Sequence, residues 1–228
     1  MKVISFCIYG SSDKYCRGLK ENLDIIKRDL PDYYALIYVG NDVSGSWLKI
    51  YEGYSFVKLV FTKRIGHDNM INRFFAIDET LVDIAFVRDA DSRIHKRDIW
   101  CIRDFEKSSP DFIFTTTRDH SQHRALVMGG LWGIKKGALP YNMSLYYNAY
   151  NNGNLQINQV QHDQQFLARV IFPLVRNRTI VYTFNENMRM TDTETIRIID
   201  EPVVDNDFCG QVILYDENGN GYKDCKWE

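Results

Sequence analysis

The apolar run Val82, Ile84, Ala85, Phe86 and Val87 stops at Arg88-Asp89-Ala90-Asp91, and this limits what the chain can fold into more than any other stretch. A short apolar run bounded by turn residues reads as a buried strand, here one that delivers two carboxylates to the edge of a sheet. Such a pair is costly unless positive charge meets it. A hard divalent cation, Mg²⁺ or Mn²⁺, is the usual partner, shared between one or two carboxylates and a substrate's phosphates. The alternative is a solvated turn in which Arg88 and Arg93 pair with the acids locally. The strand-end position favours a site, because ligands of open α/β sheets bind where strands end.

The elements around this strand alternate. Val3 to Tyr9 is a strand ending at Gly10. Tyr15, Leu19, Leu23, Ile26 and Leu30 then recur at helical spacing until Pro31. Strands follow at Ala35 to Val39 and Phe56 to Phe61, with a short helix around Trp47 to Tyr51 between them. Met70, Phe74, Ile77 and Leu81 give a further helical stripe. This alternation implies right-handed crossovers and a mostly parallel sheet. Beyond the aspartates we expect a helix near Asp98 to Lys107, a strand Phe112 to Thr116, an irregular stretch through His123, a strand Leu131 to Ile134 and a helix near Ile157 to Ile171. Asn151 to Asn154 is the best candidate for a mobile loop.

With 228 residues the chain fits one large domain, 1–228, in which 1–93 is a nucleotide-binding type of layer and 94–228 shapes a second substrate pocket. A net charge of -2 gives no global electrostatic case for nucleic acid or an anionic membrane as partner. Five cysteines without CxxC spacing suggest neither a zinc site nor a disulfide framework, and fit a reducing, cytoplasmic setting. No stretch is long enough for a membrane span. The acceptor sequences at Asn142 and Asn177 lack an export signal and read as coincidental.

Further residues could carry chemistry. Arg73, just before the core-facing Phe74, could reach a phosphate or pair with an acid, its alternative being an ordinary helix arginine. Arg118-Asp119-His120, with His123 beyond, places polar groups at another strand end, where one could act as general base or orient a hydroxyl, or else lie in a surface loop. Gly129-Gly130-Leu131-Trp132-Gly133 offers close backbone approach and a flat aromatic face for a sugar ring, unless Trp132 is plain core. A helical projection at about 100° per residue puts Asp163 at the edge of a buried face and His162 toward water. Asp163 is thus placed as a base, or as a helix-start acid favoured by the macrodipole. Asp216 to Gly221 resembles a calcium loop only at its start, since Trp227 takes the place of the closing glutamate. A turn between two short strands fits better.

Taken together, Tyr9-Gly10, Tyr38 to Asp42, Asn72-Arg73-Phe74, Arg88 to Arg93, Arg118-Asp119-His120 with His123, Gly129 to Gly133, Asp163 to Leu167 and Gly210-Gln211-Val212 resemble, in order, small GT-A glycosyltransferases of large DNA viruses and bacteria. The likeness extends to the N-terminal transferase domain of chlorella-virus proteins that build capsid glycans. It implies a GT-A fold, α/β with a mixed, mostly parallel sheet. It also implies a nucleotide-sugar donor, usually a UDP-sugar, and Mn²⁺ or Mg²⁺ at Asp89 and Asp91. Donor contacts would come from Tyr9, Gly10, Arg73, Arg88, Asp89, Ala90, His120, Gly129, Gly130 and Trp132. Asp163 and Asp119 would serve catalysis on a glycan or glycoprotein acceptor, in the host cytoplasm if the chain is viral. The family often has a histidine near the strand corresponding to Ile180 to Phe184. Here no histidine follows His162, so either Asp205, Asp207 or water would substitute for it, or the metal would be held weakly. The rival readings are a catalytically impaired sugar-binding domain and a metal-dependent phosphohydrolase.

Overall fold

The computed structural model describes residues 1–152 and 162–224. Chain order runs β1 (Lys2–Ile8), α1 (Asp13–Asp29), β2 (Tyr34–Val39), α2 (Gly45–Glu52), β3 (Val57–Phe61), a 3₁₀ helix (Gly66–Asp78), β4 (Ile84–Arg88), α3 (Lys96–Lys107), β5 (Phe114–Arg118), β6 (Leu131–Lys135) and α4 (Met143–Asn152). After the undescribed residues come α5 (His162–Phe166), a π turn (Leu167–Ile171), α6 (Phe172–Val175), β7 (Thr179–Thr183), β8 (Thr195–Ile198) and a hairpin of β9 (Ile213–Tyr215) and β10 (Gly221–Lys223). The eight-stranded sheet has the order β3-β2-β1-β4-β6-β5-β7-β8. Every neighbouring pair is parallel except those of β6, which runs antiparallel to both β4 and β5.

Period-two alternation sorts side chains to two cores. Ile4, Phe6 and Ile8 of β1 face α1 and α3, where Leu19, Leu23, Ile26, Ile102 and Phe105 are buried. Val3 and Cys7 face the other layer, built from Ile71, Phe74 and Ile77 of the 3₁₀ helix, Met143 and Tyr147 of α4, and Phe166, Leu167 and Ile171. The expected stripe of Met70, Phe74, Ile77 and Leu81 is corrected here. The buried set Ile71, Phe74 and Ile77 has the three-residue repeat of a 3₁₀ helix, and Leu81 lies beyond the helix, exposed. The expected helix from Ile157 is described from His162 onward, and of the Asn151 to Asn154 loop, residues 151 and 152 close α4 while 153 and 154 lie outside the described residues.

Topology concentrates polar residues at one edge. Since β1, β4, β5 and β7 point the same way, Tyr9, Asp89, Asp119 and Phe184 all follow strands that end on a single side. Between β1 and β4 the strand order reverses: the chain leaves β1 toward β2 and β3, then returns to β4. That switch opens the crevice where ligands of such sheets bind. No described helix is long and apolar enough to cross a membrane.

Candidate active site

A cleft of about 220 Å³ opens at the β1/β4 switch, lined by Cys7, Tyr9, Tyr15, His67, Met70, Arg73, Arg88, Asp89, Ala90, Asp91, Gly129, Asp163 and Gln164. At its centre is an ionic cluster. The Arg73 guanidinium lies 3.1 Å from Asp89 and 3.0 Å from Asp163, and also donates to the Met70 carbonyl at 2.8 Å. Lys14, in the first turn of α1, holds Asp91 at 2.9 Å. The sequence therefore places the acids together but not their partners: Arg88 and Arg93 pair instead with Asp98 and Glu21.

Asp89 lies at the cleft floor with its side chain 46% exposed to the opening. Partial desolvation by the cleft walls, reinforced by Asp91 and Asp163 and opposed by Arg73, pushes its carboxyl up. Lys14 is raised above the ordinary lysine value: partial burial pulls it down, and Asp91 with Tyr15 outweighs the pull. Burial pushes the Cys7 thiol up to about 12, which disfavours its thiolate. Backbone packing shapes the floor. A β-carbon on Gly130 would lie 2.1 Å from an Asp89 oxygen, and one on Gly129 would lie 3.2 Å from Asp163. Gly10 turns the chain out of β1 with φ +67°, a conformation that suits glycine. Beside it, Tyr9 bonds His67 Nδ1 at 3.0 Å and leans on Tyr15, ring centres 6.0 Å apart. The Ala90 carbonyl packs where a β-carbon on Gly18 of α1 would fall, only 2.2 Å away, so α1 and the aspartate turn are seated backbone to backbone.

Four expectations need correction. Arg88 touches the cleft wall, but its guanidinium is buried in a bidentate pair with Asp98 at 2.7 and 2.8 Å, anchoring α3 to β4 instead of waiting for a phosphate. Trp132 presents no stacking face: it is buried between Phe74 and Phe114, with Nε1 donating to the Gly129 carbonyl at 3.1 Å. Asp119 is not placed as a base, because both its oxygens are taken by Arg97 and it also accepts the Cys209 N–H at 3.0 Å. His162 is likewise not turned to water. It packs on Tyr147 and Tyr150 of α4, and its Nε2 is buried without a partner.

His120 lies outside the aspartate cleft. It stacks on Phe208, ring centres 4.3 Å apart, in a larger cavity of about 710 Å³ that also takes in Asp119, Phe184, Asp205, Asp207 and Gln211. The acids considered as extra metal ligands are therefore lodged in the other cavity, where Asp207 pairs with Lys223 at 3.0 Å. Asn185, just past the strand where the resembling family carries its histidine, uses its side chain to cap its own turn at Asn187 N–H, 3.0 Å away. Among the described residues no group of three or more His, Cys, Asp or Glu gathers as a metal cage. Two carboxylates nevertheless suit Mg²⁺ or Mn²⁺, which commonly retain waters and take substrate phosphate oxygens as their remaining ligands. Lys14 and His67 escaped the sequence reading, because a lysine or histidine at a loop or helix start has no spacing that marks it.

No protein-family model matches the chain, and no curated protein matches it significantly. Solved structures do match in fold. Galactosyltransferase LgtC, solved with donor and acceptor sugar analogs, aligns with TM-score 0.55 and 11% identity over 81% of this chain and 74% of its own. A glycosyltransferase involved in glycosylation of the PBCV-1 major capsid gives 0.54 and 14% over 80% and 81%. The 4-diphosphocytidyl-2C-methyl-D-erythritol synthase of Anaerococcus prevotii gives 0.50 and 14% over 84% and 93%. The chain has the GT-A fold of nucleotide-sugar transferases.

Proposed function

We propose that the protein is a glycosyltransferase that moves a sugar from a nucleotide donor, a UDP-sugar, to a glycan or glycoprotein acceptor with Mn²⁺ or Mg²⁺ bound by Asp89 and Asp91. The observation that carries this reading is the juxtaposition of Asp89 and Asp91 with Arg73 and Asp163 in the switch crevice of a GT-A sheet. When bound, the cation would offset charge developing on the leaving diphosphate, a Lewis-acid effect worth several kcal/mol. The chain's own residues do the rest. Tyr9 and Tyr15 wall the nucleotide end of the cleft, Gly129 lets Asp163 and Gln164 pack against its backbone, and Arg73 holds Asp163 still beside it. Asp163, paired to an arginine and accepting the Gln164 N–H at 2.8 Å, serves as a fixed acceptor that orients sugar hydroxyls. The acceptor enters through the cavity at His120 and Phe208, so that 1–93 supplies most of the donor site and 94–228 the acceptor site.

The test is donor turnover. Purified protein with Mn²⁺ and a panel of nucleotide sugars should release nucleoside diphosphate, and Asp91→Asn should lose most of both that release and Mn²⁺ binding. Unchanged turnover and metal affinity in Asp91→Asn would sink the metal assignment. Because a 4-diphosphocytidyl-2C-methyl-D-erythritol synthase shares the fold, the products must be identified: nucleoside diphosphate marks sugar transfer, pyrophosphate nucleotidyl transfer. A phosphohydrolase reading finds no support, since β1 ends in Ile8-Tyr9-Gly10 without an acidic nucleophile.

A further inference from the structure

The acids of the cleft are met by two cations of different character. Arg73 is fixed: its side chain is only 4% exposed, and it is tied to Met70 and Gly129 carbonyls as well as to Asp89 and Asp163. Lys14 is not fixed in that way. Its side chain is 30% exposed, and its Nζ meets the cleft at the Asp91 oxygen, 2.9 Å away, and at Tyr15, whose ring centre lies 5.1 Å off and whose side chain hydrogen-bonds with it. The Lys14 ammonium takes up one of the two Asp91 oxygens, Oδ2, and so competes with a cation for that carboxylate. Ammonium and a divalent ion on one carboxylate also repel each other. Of the two cations of the cleft, Lys14 is the one with a flexible stem and a path to solvent, so it is the one that yields.

We propose that Lys14 is an exchangeable counter-cation: it neutralises Asp91 in the empty cleft, is displaced when a divalent cation binds there, and then pairs with a phosphate of the incoming nucleotide. This rests on the reading of Asp91 as a metal ligand. The exchange keeps Asp91, whose side chain is 14% exposed, from standing uncompensated between turnovers, a costly state for an enclosed acid. It also ties metal entry to donor entry, because the freed ammonium gains its new partner only when the diphosphate arrives.

The test uses the full chain and two binding measurements, Mn²⁺ alone by electron paramagnetic resonance and uridine diphosphate with saturating Mn²⁺ by calorimetry. Lys14→Met should bind Mn²⁺ alone at least about fivefold more tightly than wild type, since one like charge at contact distance is gone. It should bind uridine diphosphate about tenfold more weakly, the loss of one charge-assisted phosphate contact. Lys14→Arg should retain nucleotide affinity, and Asp91→Asn should lose Mn²⁺ in either background. Lys14→Met with Mn²⁺ affinity equal to or below wild type overturns the exchange, and unchanged nucleotide affinity overturns the hand-over to phosphate. Wild type that binds neither Mn²⁺ nor nucleotide overturns the reading of the cleft itself, so the two failures are separable.

Discussion

Gly130 and Gly133 lie three residues apart on the same strand entry, yet a methyl group would do different harm at each. At Gly130 it would strike the Asp89 carboxylate, which borders an open cleft and can swing aside. We expect Gly130→Ala to keep its melting temperature close to wild type and lose roughly 10²-fold in turnover, the scale of a displacement near 1 Å in a reacting group. At Gly133 the methyl would lie 2.6 Å from the Phe86 ring and 3.1 Å from Thr115, both core atoms with nowhere to go. Gly133→Ala should cost about 1–3 kcal/mol in urea unfolding. Trp132, between them, is decided the same way. Trp132→Phe should lower the urea midpoint through lost packing and the lost bond to Gly129, whereas a stacking role would raise the donor KM with the midpoint unchanged.

At the scale of elements, legibility followed periodicity. β1, β2, β4 and α1 were readable because buried residues recur at strand or helix spacing, and Pro31 marks where α1 must stop. The hairpin β9–β10 was readable from its turn, which Asp216 closes by accepting from the N–H groups of Asn218 and Asn220 at 2.9 and 2.7 Å. Missed elements had weak patterns. α4 buries only Met143 and Tyr147 and leaves Leu145 exposed, and β8 is a half-exposed edge strand. The acids of the site were legible from strand ends, while their partners were not, because pairing across 90 residues, as between Arg73 and Asp163, leaves no local trace. Arg118 shows the same limit. It ends β5, fully buried, bidentate to Glu194 at 2.8 and 3.0 Å, and binds the Leu126 and Met188 carbonyls. Arg118→Met alone should destabilise by about 3–5 kcal/mol by stranding Glu194, and adding Glu194→Leu should recover part of the loss. Equal stability of the single and double variants in urea would show that the carbonyl contacts, and not the ion pair, hold this corner.

On the scale of the whole molecule, the edge that carries both cavities is braced by a polar hub under the loop after β5. Arg97 of α3 grips Asp119, Asp119 accepts from Cys209 of the C-terminal segment, and the Asp119 N–H donates to His123 Nδ1 at 3.1 Å. That bond requires a neutral imidazole. Burial, with His120 adding to it and Asp119 opposing, holds His123 down to about 4, against about 6.5 for an imidazole in an unfolded chain. Between those values the unfolded chain binds a proton that the folded chain refuses. Stability is therefore complete above pH 6.5, falls as pH drops toward 4, and loses no more from this residue below 4. The full loss is about 3 kcal/mol at roughly 1.4 kcal/mol per pH unit. Asp32 acts in a different window, because Arg103 and Lys2 hold its carboxyl well below the usual range, so its contribution is lost only in stronger acid. Urea unfolding of wild type and His123→Gln at pH 7.5, 6, 5 and 4.5 isolates the histidine. The variant starts less stable and should show a shallower slope over this range, so that the two curves converge as the solution is acidified. Parallel curves would mean that His123 is not what couples this edge of the sheet to protons.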